Sequence, residues 1–141
     1  MKILFAVDGS SYSLKAAEYL AAHFNWLSEP AELHLLHVEL PIPISRARAA
    51  MGKEAVDRYY AEEAEAALAP AENILQKHDI RFVRSYAAGD VADAIQTYVK
   101  ENVIDMIVMG SHGHGALRGL MMGSVATKVI AATTVPVLII R

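Results

Sequence analysis

The chain has 141 residues, 54% hydrophobic and 21% charged, which is enough apolar material for one folded domain and the reverse of a disordered composition. Its net charge of −3, with no basic run, argues against nucleic acid as a main partner, because neutralising phosphates needs clustered Lys and Arg. It has no cysteine, which excludes a disulfide scaffold, a thiolate zinc site and a cysteine nucleophile.

Residues 2–7 form a short apolar run closed by Asp8-Gly9-Ser10, the pattern of a strand buried on both faces. Ser10 or Ser11 can cap the helix that follows. Leu14, Ala17, Leu20, Ala21 and Phe24 recur at three and four, so that helix is amphipathic and ends near Asn25. Residues 33–38 read as a second strand. His34 and His37 differ by an odd number within it, so they face opposite sides and cannot share a metal. Pro41 and Pro43 mark a loop, and residues 46–53 a mobile or partly helical connection.

From about 54 to 78 the chain reads as a long helix, with Tyr60, Ala64, Ala67, Leu68, Ala71, Ile74 and Leu75 as its apolar stripe. Pro70 falls inside it and is expected to kink or interrupt it. Residues 81–87 form a third strand nearer the sheet edge. Val91, Ala94, Ile95, Tyr98 and Val99 mark a third helix, and residues 105–109 a fourth buried strand. Met122, Val125, Val129 and Ile130 mark a fourth helix. Residues 133–140 close the chain as a fifth strand with Pro136 inside it.

Strands alternating with helices imply one α/β domain, an open five-stranded parallel sheet covered on both faces with right-handed crossovers. With the first strand central, the order is 3-2-1-4-5. Pro136 places the last strand at an edge, and a bare apolar edge invites pairing with another chain. A homodimer through residues 135–140 follows as an expectation. The N-terminus turns polar too soon for a signal peptide, and no apolar run approaches the ~20 residues of a membrane span. The expected location is cytoplasmic.

Ligands of such sheets bind beyond the carboxyl ends of the strands, where the strand order reverses. Here that lies between strands one and four, which brings Val7-Asp8-Gly9-Ser10 beside the stretch that begins at Gly110. Glycines recur there at 110, 113, 115, 119 and 123 before Ser124 opens the last helix. A strand that runs through a glycine-rich loop into a helix start presents backbone N–H groups suited to phosphate. The loop is not a P-loop, since G-x-x-x-x-G-K-[ST] is absent, and Gly113-His-Gly115-Ala-Leu-Arg118 lacks the last glycine of G-x-G-x-x-G.

Gly110-x-x-Gly113, nine residues, then Gly123-Ser124 resembles the nucleotide motif of the universal stress protein family. Lys2-Ile-Leu-Phe-Ala-Val-Asp-Gly-Ser10 is similar to that family's opening strand, Leu36-His-Val38 to the end of its second, and Val135-Pro-Val-Leu-Ile-Ile-Arg141 to its closing strand. The resemblance implies a Rossmann-like fold of the adenine nucleotide alpha hydrolase type and membership of the ATP-binding branch, with ATP and Mg²⁺ as the ligand set. By position it implies that Val7 and Asp8 belong to the nucleotide site, with Asp8 accepting from the ribose hydroxyls. Val38 would touch adenine, and Met109 and Gly110 would lie along the ribose and first phosphate. Gly113 would let the backbone approach the phosphates. Gly123, Ser124 and Val125 would supply helix-start N–H groups, and Arg118 would face the outer phosphates. Gly119 departs from the family, which carries a bulkier or charged residue there.

Each residue also has a plainer role. Asp8 can cap the first helix, Ser124 the last, Val38 and Met109 can be core, and Arg118 a solvated charge. His112 and His114 sit two apart and could ligate a metal or donate to phosphate; without acids or thiols near them in sequence they read as loop histidines rather than zinc ligands. The methionines at 106, 109, 121 and 122 read as core filling. The expected function is a stress-response regulator or interaction protein, read by a protein partner, whose surface answers to nucleotide occupancy. The alternative is a slow ATPase, or an autophosphorylating enzyme with Ser111 or Ser124 as acceptor. Phosphoryl transfer needs a placed base and metal-binding carboxylate, and only Asp8 is near the loop, so no catalytic residue is assigned.

Overall fold

β1, Lys2–Ala6, is the middle of the sheet, and its side chains alternate between two cores. The computed structural model describes residues 1–26, 30–42, 50, 52–115 and 121–141. α1 spans Ser11–His23 and continues into a 3₁₀ turn at Phe24–Trp26, so the helix stops two residues short of Asn25. β2 is Glu32–Glu39, α2 Lys53–Lys77, β3 Phe82–Ala88, α3 Val91–Asn102, β4 Met106–Gly110, α4 Ser124–Ala132 and β5 Val137–Ile140.

The strands run parallel in the order β3-β2-β1-β4-β5. Ile3 and Phe5 pack with Leu33, Leu35 and Val108 against α1 and α2, including Leu20, Leu68 and Leu75. Leu4 packs with Leu36 and Ile107 on the opposite face, against Ile95 of α3 and Val129 of α4. Near-continuous apolar strands follow from this double cover. His34 and His37 do face opposite cores. His34 reaches the Tyr98 hydroxyl of α3 at 2.9 Å, and His37 reaches the Val7 carbonyl at 2.9 Å.

The starts of α1 and α3 are capped by side chains at the carboxyl edge. Ser10 caps α1, accepting from the Ser13 N–H at 3.3 Å. Asp90 caps α3, accepting from the N–H groups of Ala92 and Asp93 at 3.0 and 3.2 Å. The Asp93 N–H, followed by the Lys128 ammonium 3.5 Å away, holds the Asp90 carboxyl below its ordinary range.

Three expectations need correction. α2 is not interrupted at Pro70, although proline has no N–H to donate to the Ala66 carbonyl. Leu68 and Ala71, both buried beside it, show that packing on the sheet outweighs one lost helical bond. Pro136 lies just before β5, not inside it. Its carbonyl accepts from the Ile107 N–H at 2.9 Å, and the ladder starts at the next residue, Val137. The edge position holds for a different reason: among the described residues β5 pairs only with β4. Met121, read as core filling, is exposed. The connection over residues 43–49 lies outside the described residues.

Candidate functional site

The site grows from two strand ends that the sheet sets side by side. β1 and β4 pair from Ile3 with Met106 to Ala6 with Met109, so the chain leaves both strands at one level. After β1 it turns through Asp8 and Gly9. Gly9 has φ +76, and a Cβ there would stand 3.2 Å from the Ala67 Cα, so α2 can cross over this turn only because the residue is glycine. After β4, the Ser111 N–H donates to the Ile140 carbonyl at 2.8 Å. The Ser111 carbonyl then accepts from the Gly123 N–H at 2.8 Å. That second bond returns the chain to the start of α4. Gly123 sits so tightly that a Cβ would meet the His112 Cα at 3.2 Å.

Between these turns lies a cleft of about 710 Å³, within the ~300–1,000 Å³ range of small-molecule sites. Val7, Asp8, Val38, Met109, Gly110, Gly113, Gly123, Ser124 and Val125 all line it. Arg118 and Gly119 lie outside the described residues. One wall is apolar, with Leu36, Val91, Ile95 and Ala126 beside Val38 and Met109. The opposite wall carries Glu63, Ala66 and Ala67 of α2, and His37, Glu39 and Leu40 close the β2 end.

Asp8 is held firmly. Its Oδ1 accepts from the Ser10 N–H at 2.9 Å. Its Oδ2 lies 2.5 Å from where a Cβ at Gly113 would be. The carboxylate therefore occupies the space a side chain at 113 would need. This is a cradle of acceptor oxygen beside bare backbone, at the start of a helix whose N-terminus favours anions. The residues present suit a ligand that carries both hydroxyl donors and phosphate.

Sequence reasoning missed the α2 wall and two histidines. His37 directs Nδ1 at the Val7 carbonyl and lies 3.2 Å from Glu39 through Nε2. His114 directs Nε2 at the Asp8 carbonyl, 2.7 Å away, and is more than a loop histidine. His112 pairs with the Ser111 hydroxyl at 3.0 Å and lies against the Tyr12 ring. The position of His37, one residue before Val38 at a strand end, was the available signal for the first. Glu63 and Ala66 gave none, because which part of α2 crosses the strand ends is a tertiary matter. Among the described residues no three His, Asp or Glu side chains gather as a metal site.

The profile of the universal stress protein family matches residues 1–141. The chain is 33% identical over 140 residues to universal stress protein Slr1230 of Synechocystis, covering 99% of this chain and 42% of that protein. It is 33% identical over 147 residues to universal stress protein YxiE of Bacillus subtilis, covering 99% and 98%. Thus it spans less than half of the first relative and nearly all of the second. Among solved structures it is similar to MJ0577, whose biochemical function was assigned from its structure, with TM-score 0.77, 28% identity and coverage of 99% and 94%. Its fold is also that of a universal stress protein in complex with cAMP (TM-score 0.70, 23% identity, coverage 100% and 97%). The Archaeoglobus fulgidus protein in complex with dAMP shares it too (TM-score 0.69, 22% identity, coverage 100% and 98%). With a five-stranded Rossmann-like sheet in the order 3-2-1-4-5 and a family match along its whole length, the chain belongs to the universal stress protein family.

Proposed function

We propose that this chain binds an adenine nucleotide, ATP with Mg²⁺ foremost, in the cleft between the ends of β1 and β4. Occupancy then changes a surface read by a protein partner in the cytoplasm during the stress response. The observation that carries this reading is the contact between Asp8 and the bare backbone at Gly113. Asp8 accepts from the ribose hydroxyls, Val7 and Met109 flank the sugar, and Val38 packs against the base. The backbone at Gly110 and Gly113 and the helix start at Gly123, Ser124 and Val125 receive the phosphates, with Arg118 beyond them. Relatives solved with cAMP and dAMP support the adenine part of this reading.

Calorimetric titration of the nucleotide-free protein with ATP, AMP and GTP tests it. Saturable binding of ATP, with GTP weaker, is the expected result. No heat of binding at millimolar ATP overturns it.

The same reading includes a homodimer through the β5 edge. Val137, Leu138 and Ile139 are only half-buried within one chain, and an apolar edge strand left open is a pairing surface. Sedimentation should give twice the single-chain mass at micromolar protein. A single-chain mass at every concentration sinks the dimer and leaves the nucleotide site untouched.

A further inference from the structure

Asp8 is gripped from both sides through the main chain. On one side His37 points Nδ1 at the Val7 carbonyl at 2.9 Å, and on the other His114 points Nε2 at the Asp8 carbonyl at 2.7 Å. A carbonyl oxygen only accepts, so both ring nitrogens carry hydrogens and donate. Two histidines thus hold consecutive carbonyls that bracket the Asp8 carboxylate.

The two grips differ in kind. His37 is buried and sits within β2. His114 is exposed and stands between Gly113 and Gly115 in the loop after β4. Its bond joins segments 106 residues apart in sequence, across the crevice where the strand order reverses. The backbone that His114 ties down is the same backbone whose missing Cβ gives Asp8 Oδ2 its place.

We propose that His114 is a positioning residue that latches the glycine loop to the end of β1 and so sets the Asp8 carboxylate against the gap at Gly113. The latch belongs to the free protein. Only its effect on affinity rests on the nucleotide reading above. His37 fixes the strand end, and His114 fixes the loop to it. A ligand seated over Asp8 and Gly113 then meets an acceptor and a bare backbone already in register, which spares it the cost of ordering them.

The Ser10 amide reports the latch, because it donates to Asp8 Oδ1. In nucleotide-free His114→Ala, hydrogen exchange at Ser10 should quicken by about threefold to tenfold, the effect of losing one ordinary hydrogen bond. The Leu14 amide, bonded to the Ser10 carbonyl inside α1, should stay as in wild type. His114→Gln keeps an N–H donor at similar reach and should return Ser10 to the wild-type rate. Unchanged Ser10 exchange in His114→Ala, or equal quickening in both variants, overturns the latch. ATP affinity should fall by a similar factor in His114→Ala and recover in His114→Gln. Wild-type protein that binds no ATP would remove the nucleotide reading and leave the exchange experiment to decide the latch.

Discussion

Gly113→Ala is expected to weaken ATP binding by roughly tenfold to a hundredfold, the loss of hydrogen bonds to one charged acceptor, while leaving the protein folded. The new Cβ would stand 2.5 Å from Asp8 Oδ2, closer than any tolerable contact. The obstacle is the end of a side chain, not backbone, so the clash is relieved when the carboxylate swings away. The backbone at 113 has no positive φ that a side chain would strain. Stability should therefore fall only by about the Ser10 to Asp8 bond, ~1 kcal/mol. Affinity should fall by more, because the ribose acceptor has left its place.

A double-mutant cycle makes the claim specific. Asp8→Ala should itself weaken ATP binding, and in that background Gly113→Ala should cost little more, since no carboxylate remains to displace. If the two losses add in full, alanine at 113 blocks the phosphates directly and the Asp8 contact is not the cause.

Much of this site was legible because its parts lie where strand ends meet turn residues. The apolar runs at residues 2–7 and 105–109 each stop at polar or glycine residues, and doubly covered strands must end that way to let the chain turn. Strand order then puts Asp8 beside Gly113 without any knowledge of side chains. The walls were less legible. Glu63 and Ala66 reach the cleft because α2 crosses over Gly9, a contact between segments more than fifty residues apart. No local pattern encodes that crossing.

The corrected details have one cause in common. Pro70 and Pro136 were each judged by local propensity, and in both cases neighbours decide. A helix packed through Leu68 and Ala71 absorbs a proline. A strand begins where β4 offers partners, which is why the Pro136 carbonyl is used while the ladder starts at Val137.

Gly110→Ala should act in the opposite manner to Gly113→Ala, lowering stability first. A Cβ at 110 would lie 2.9 Å from the Tyr12 carbonyl carbon and 3.0 Å from its oxygen and Cβ. These atoms are the backbone of the first turn of α1, and no rotamer change moves them. Either α1 lifts from β4 or the strand end bends. Overpacking of this kind costs ~1–3 kcal/mol. Urea unfolding should show a lower midpoint with an unchanged slope. Shortening Tyr12 to alanine should not restore it, since the carbonyl and Cβ would remain. Affinity should also drop, because α1 begins at the Ser10 cap that braces Asp8. Ser111, the next residue, bonds to the Ile140 carbonyl, so bending β4 would disturb the β5 edge as well. The pair of variants thus separates two uses of a missing side chain: at 113 it leaves room for a functional carboxylate, and at 110 for a helix. An unchanged urea midpoint in Gly110→Ala would show that α1 does not rest on β4 through this glycine, and that the site's frame is looser than its contacts imply.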